Sequence, residues 1–213
     1  LFAILIALPF GLAVAVYMSE VANHKIRNLM KPIIELLSGI PSVVYGFFGL
    51  IVIVPFLQKV FDLPVGESGL AGSIVLAIMA LPTIITVTED AMRNCPRAMR
   101  EASLALGASQ WQTIYKVVIP YSISGITSGV VLGIGRAVGE TMAVLMVTGN
   151  AAVIPHTILE PLRTIPATIA AELGEAPAGG AHYEALFLLG VVLFFISLLI
   201  NFTVEAVSSG KRK

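Results

Sequence analysis

Charge is what this sequence has least of. Of its 213 residues 12% are charged and 57% are hydrophobic, whereas a typical soluble domain carries about 25% charge. The 13 basic and 13 acidic residues cancel, so neither a basic surplus for nucleic acid nor an acidic solvating block exists. Cys95 is the only cysteine, which excludes an internal disulfide and a cysteine-based metal cluster. His24, His156 and His182 fall on different connections without metal-ligand spacing. A Gly-x4-Gly-Lys-Ser/Thr phosphate loop is absent, so the chain is not expected to hydrolyse ATP, and no cofactor is implied. No nucleophile and base set suggests an enzyme.

Long uncharged runs are plentiful instead. A run of about 18 residues or more is a transmembrane candidate, because roughly 20 residues at about 1.5 Å each cross a hydrocarbon core of about 30 Å. Such runs cover Leu1 to Ser19, Leu36 to Gln58, Ser68 to Thr88, Val117 to Gly135, Thr141 to Leu159 and Ala185 to Val204. The fourth and fifth flank Arg136 and Glu140, and Pro155 with His156 makes a poor helix interior, so they are merged into one long helix from about Tyr121 to Thr148. The expected architecture is an all-α polytopic transmembrane bundle of five helices, at about 1–18, 41–60, 69–88, 121–148 and 184–204, forming one domain over 1–213. Pro82 is expected to kink the third. A polar loop at 89–120 and an outward segment at 149–183 complete it.

Lysine and arginine remain on the cytoplasmic side of membrane proteins. Lys25, Arg27, Lys31, Arg93, Arg97, Arg100, Lys116, Lys211, Arg212 and Lys213 lie on one side, Lys59 and Arg163 on the other, and Arg136 within a helix. Segments 19–42, 89–120 and 205–213 are therefore expected to face the cytoplasm, with the C-terminus inside and the chain multi-pass in the cytoplasmic (inner) membrane. In the first of these, Ile26, Leu29, Met30, Ile33, Leu36 and Leu37 fall at helical intervals and Gly39 suits a helix end. A surface-lying amphipathic helix, bent at Pro32, is expected.

The loop from Glu89 to Pro120 carries signals of helix, turn and helix. Pro96 suits a first turn, Ala98, Ala102, Ala105 and Leu106 share a face, and Gly107 suits a left-handed helix end. Ser109 and Gln112 stand at capping-box spacing before a second helix in which Trp111, Ile114, Tyr115 and Val118 share a face, stopped by Pro120. Periodicity alone leaves an interfacial helix pair and a docking element equally open. Glu101-Ala102-Ser103, Gly107 and Ile119-Pro120 resemble the EAA loop of ABC importer permeases, with Ser103 for the second alanine and Ile119 for leucine. The resemblance implies that this short helix, with Glu101, Ala102, Ser103 and Gly107, couples the chain to a cytoplasmic ATPase.

Two further stretches narrow the likeness. Ser38-Gly39-Ile40-Pro41-Ser42-Val43-Val44-Tyr45-Gly46-Phe47-Phe48-Gly49 and Gly135-Arg136-Ala137-Val138-Gly139-Glu140-Thr141-Met142-Ala143-Val144, followed by Gly149-Asn150, resemble the phosphate-specific importer permeases, the PstC type more than PstA. The likeness covers essentially the whole chain. It implies a binding-protein-dependent system with the type I ABC importer permease fold, moving inorganic phosphate inward. Its partners would be a second related permease, two ATPase subunits and an extracytoplasmic phosphate-binding protein, all in or against a lipid bilayer. Permeases of this kind usually have six membrane helices, so one is expected before Leu1. The partner permease, a permease for another anion, and a secondary anion transporter or channel are the alternatives.

Arg136 and Glu140 are the charged spot left in the membrane, where an ionised group costs about 2.5–3.5 kcal/mol on insertion scales. At about 100° per residue, Gly125, Gly129, Gly133, Arg136 and Glu140 fall on one narrow helix face. The glycines repeat a small-xxx-small pattern suited to close helix packing. Arg136, roughly 22 Å from Tyr121, is expected past the midplane toward the outside. Two readings stand: an i, i+4 ion pair, or an anion path in which the guanidinium fork meets phosphate oxygens and the carboxylate moderates the charge. In the outward segment, a helix is expected from Pro166 to Leu173 and a turn at Gly179-Gly180, with Glu172 and Glu175 as exposed candidates for binding-protein contact.

Overall fold

The computed structural model describes the backbone of residues 1–209 and the side chains of 1–203. The basic cluster Lys211, Arg212 and Lys213 lies outside the described residues. Nine helices are found among the described residues: α1 Phe2–Val21, α2 His24–Gly39, α3 Ser42–Phe61, α4 Gly69–Arg93, α5 Arg97–Ala105, α6 Gln110–Gly139, α7 Met142–Val147, α8 Ile165–Glu172 and α9 Ala181–Ser209. Five of them, α1, α3, α4, α6 and α9, are long and apolar enough to cross a membrane.

At the centre lies α4, packed along α1 on one side and α6 on the other. Small residues set the spacing. A Cβ added at Gly125 would stand 2.3 Å from Ala91 Cβ, one at Gly129 3.1 Å from Thr88 Oγ1, and one at Gly133 2.7 Å from Ile84. From the opposite side Gly11 of α1 meets the same Ile84, at 2.8 Å. Apolar lipid tails give helices no hydrophobic reason to associate, so contact this close is what dispersion needs to hold them. Around this seam, α7 packs on α3 and α4, and α9 on α6 and α8.

Two prolines are absorbed, one of them Pro120, which is expected from the sequence to stop its helix. Pro120 does not stop its helix: α6 runs on from Gln110 through a π turn at Ile114–Val118. In α3 the π turn Gly49–Ile53 likewise stands two residues before Pro55. A proline lacks the N–H that the carbonyl four residues back expects, and its ring crowds that carbonyl. The widened turn contains that carbonyl and bonds five residues on, as Ile119 N–H to Ile114 O shows.

The long helix expected over 121–148 is instead divided. Glu140 takes an extended backbone (φ −70°, ψ 131°), and its Oε1 accepts the Ala143 N–H at 3.1 Å. The side chain thus serves as a cap for α7, competing with helix continuation just after Gly139, a weak helix residue. Beyond α7 the chain folds back over the start of α4. The Gly69 and Leu70 amides donate to the Glu160 and Ile158 carbonyls, and Ser68 Oγ accepts the Ala71 N–H. The helix-start amides of α4 are satisfied in this way although they are buried.

The amphipathic helix α2 does not simply lie on the surface. Asn23 caps it by accepting the Ile26 N–H, and it then runs antiparallel along α4. Arg27 and Lys31 meet Glu89 at 2.8 and 3.0 Å, Ile34 packs with Ile85 and Met18, and the Ser38 carbonyl reaches the level of Thr83 and Arg136. Glu89 is 1% exposed and takes Arg93 as a third cation. Lys31 also bonds Asp90 at 2.7 Å. That bond lifts its ammonium above the usual lysine value, against the opposing effect of partial burial, and Glu89 adds to the rise.

Replacing Gly125 by Ala overpacks the seam, typically by about 1–3 kcal/mol. Gly135→Ala, with open space around its new methyl, gains helix propensity of about 0.8–1 kcal/mol. Thermal unfolding of the two variants in one detergent should place the first below and the second at or above wild type; equal midpoints would contradict the seam. For Lys31, whose folded-state pKa is raised, the stabilisation is fully present below the ordinary value of about 10.5 and is lost as pH rises through the folded value. The difference in midpoint between wild type and Lys31→Met should therefore hold steady from about pH 8 to about pH 10 and shrink above.

Candidate functional site

The candidate residues fall in two groups, one at each end of α6. At its start stands α5. Pro96 precedes it in extended conformation, and the C-terminus closes in a Schellman arrangement: Gly107 at φ +82°, its N–H on the Leu104 carbonyl and the Ala108 N–H on the Ser103 carbonyl. The capping box of Ser109 and Gln112 then opens α6, both of its bonds being present.

None of the nine residues of α5 is buried. Glu101 and Ala102 are exposed, Ser103 is half-buried, and Leu106 is 89% exposed. The helix is nonetheless fixed along one side. Arg100 bonds the Glu20 carboxylate of α1 and the Met92 carbonyl of α4. Ser103 Oγ meets Thr113 Oγ1 of α6 at 2.9 Å, and Gln110 donates to the Glu20 carbonyl. Ser103, the departure from the alanine of the EAA pattern, thus ties α5 to α6. The face expected for Trp111, Ile114, Tyr115 and Val118 splits: Ile114 and Val118 are buried, while Trp111 and Tyr115 are mostly exposed.

At the far end of α6 the half-buried Arg136 extends its guanidinium to Thr83 Oγ1 at 3.4 Å and the Ser38 carbonyl at 3.5 Å. The two stretches beginning at Ser38 and Gly135 therefore meet through one side chain. Both contacts are long, leaving most of the five guanidinium N–H donors uncommitted. Thr83 lies mid-length in α4, about 15 Å from Arg93 and about 21 Å from Gly69. The guanidinium is consequently nearer the α5 end than the sequence suggests, since helical side chains lean toward the N-terminus. Gly125, Gly129 and Gly133 keep the face they share with Arg136, whereas Glu140 leaves it, being beyond the helix end. Among the described residues no ion pair joins Arg136 to Glu140.

In the outward segment, Glu172 is not a free acidic contact: it pairs with Arg163 and His182. Glu175 is exposed. Glu160 accepts the His156 N–H at 2.7 Å, and this bond holds its carboxyl below the usual carboxylate range. Gly149 and Asn150 both take positive φ, 76° and 44°, in the turn that pairs Gly149 with Leu162. Sequence reasoning missed Glu20, Glu89 and Thr83, and the reach of the Ser38 carbonyl to Arg136. The available signal was slight: Arg27 and Lys31 at i, i+4 spacing on one face of α2 need a carboxylate opposite them.

Comparison with known proteins agrees with this architecture. Residues 7–213 match the binding-protein-dependent transport system inner membrane component family. The probable ABC transporter permease protein YqgH of Bacillus subtilis is 43% identical over 98% of this chain and 67% of its own length. The phosphate transport system permease protein PstC of Mesorhizobium japonicum is 39% identical over 93% of this chain and 66% of its own. The chain thus spans about two thirds of these relatives. Among solved structures, a chain of the inward-facing MetNI methionine ABC transporter superposes with TM-score 0.76 at 20% identity, over 99% of this chain and 90% of that one. A chain of a bacterial ABC transporter involved in import of the acidic polysaccharide alginate gives 0.68 at 18%, over 96% and 73%. With 43% identity to one permease and an importer permease fold on the five spanning helices, the chain belongs to the binding-protein-dependent transport system inner membrane component family.

Proposed function

We propose that this chain is a membrane subunit of an ATP-driven importer that carries inorganic phosphate into the cytoplasm. It works beside a second related permease, on two cytoplasmic ATPase subunits, and receives substrate from an extracytoplasmic binding protein. The observation that carries the ATPase part is α5: ordered, exposed on its outer face, and bonded to α1, α4 and α6 by Arg100, Ser103 and Gln110. A partner that grips Glu101 and Ala102 would move three helices together, which is what coupling requires. With α5 at the ATPase, the ends of α1, α4 and α6 nearest it face the cytoplasm, in accord with the lysine and arginine count.

Phosphate as the substrate is supported by relatives named PstC and by the chemistry of Arg136. Its guanidinium has donors to spare and offers the planar fork that phosphate oxygens accept. The weak contacts to Thr83 and Ser38 would hold it ready without satisfying it. Glu140, engaged with the Ala143 amide, is better read as ending α6 and aiming the next turn than as neutralising Arg136.

In the purified complex, ATPase activity should rise with phosphate-loaded binding protein and not with a sulfate-loaded one; equal stimulation would remove phosphate as the substrate. Arg136→Gln should abolish phosphate uptake in cells, with the subunit still present in the membrane at wild-type level by immunoblot. Normal uptake by that variant would exclude Arg136 from the path.

A further inference from the structure

At the α5 end of the bundle, a polar cavity of about 330 Å3 opens where the end of α1, the start of α2, the end of α4 and α5 meet. Its size falls within the roughly 300–1,000 Å3 of small-ligand sites. His24, Arg27, Arg93, Cys95, Arg97 and Arg100 are among its lining. Here, in and beside the cavity, Arg27, Lys31, Arg93, Arg97 and Arg100 face Glu20, Glu89 and Asp90. Five cations against three carboxylates leave an excess of two positive charges.

The bonds within the cluster do not use up its donors. Arg27 engages Glu89 through Nε, so that its two terminal nitrogens make no hydrogen bond to a described residue. Arg93 stands 3.6 Å from Glu89, too far for a good hydrogen bond. Arg97 makes no hydrogen bond or ion pair among the described residues. Arg100 alone engages both terminal nitrogens, with Glu20 and the Met92 carbonyl. Three guanidinium groups from three separate elements thus converge on one concave space: those of Arg27 and Arg97 with terminal nitrogens unbonded among the described residues, and that of Arg93 held to Glu89 only at ion-pair distance. Their mutual repulsion across this recess is relieved by an anion with several acceptor oxygens.

We propose that this cavity binds a phosphate-type tetrahedral oxyanion, through Arg27, Arg93 and Arg97. The bound anion bridges α2, the end of α4 and α5, fixing the exposed helix to the bundle. Two sources share this chemistry: inorganic phosphate in solution and the headgroup of an anionic phospholipid, since basic recesses between membrane helices also hold lipid headgroups. The site is separate from Arg136 and stands whether or not phosphate is the transported substrate.

The test uses the intact complex carrying Arg136→Gln, so that binding in the transport path does not contribute. In phosphatidylcholine nanodiscs, radiolabelled inorganic phosphate should bind saturably at constant ionic strength, and adding Arg97→Gln should weaken binding about tenfold, the loss of one charge-assisted contact, while Arg97→Lys keeps most of it. If free phosphate does not bind, labelled phosphatidylglycerol should stay with the complex through detergent washing and be lost in Arg97→Gln; that result assigns the site to the headgroup. Retention of neither ligand, or binding indifferent to Arg97→Gln and to Arg93→Gln, overturns the proposal. Arg97 is exposed, so its replacement does not endanger folding, and an unchanged thermal midpoint checks this.

Discussion

The closeness of α4 to α6 is the constraint on which the other arrangements rest. Gly125, Gly129 and Gly133 leave one stretch of the α6 face without side chains at those positions, and Ala91, Thr88 and Ile84 occupy the space released. Because Ile84 is pinned again from α1 by Gly11, one isoleucine in the middle of α4 sets the spacing of three membrane helices. With that spacing fixed, Arg136 falls beside Thr83, and the turn of α6 after Pro120 falls beside the end of α4, where Ser122 Oγ donates to the Ala91 carbonyl.

Around this apolar seam, the polar groups lie where helices begin and end. Glu89 and Glu20 gather the cations of α2, α4 and α5 at one end of the bundle. The returning chain at Ile158 and Glu160 supplies acceptors at the other, for the buried amides of Gly69 and Leu70. Each set answers the same demand, that a buried carboxylate or backbone amide find a partner. α2 shows both parts in one element: its charged first turns answer Glu89, and its later turns carry the Ser38 carbonyl to Arg136.

The class of fold was legible because charge-free length alone identifies membrane helices, and the turn chemistry of Gly107, Ser109 and Gln112 is local. What failed were inferences that treated helices as ideal. Pro120 reads as a stop only if every turn has 3.6 residues; the π turn before it removes that assumption. Glu140 falls on the glycine face only if the helix continues through it, whereas its own carboxylate captures the Ala143 amide and ends it. Glu172 reads as free because its partners, Arg163 and His182, sit nine and ten residues away in loop and helix. The Glu89 cluster joins residues about sixty positions apart, and a single sequence records no such pairing. Of the site, the residue types at Arg136 and Glu101 were visible; their neighbours were not.

The absorbed proline at 120 has a mechanical meaning. Because the turn widens instead of breaking, one uninterrupted rod joins the capping box at Ser109 to Arg136, about 40 Å away. A displacement imposed on α5 reaches Thr113 through Ser103 and then has no joint at which to dissipate, except the softer π turn itself. Because Gly125, Gly129 and Gly133 hold α6 against α4 beyond that turn, a push at α5 would carry Thr83 and Arg136 together as one unit.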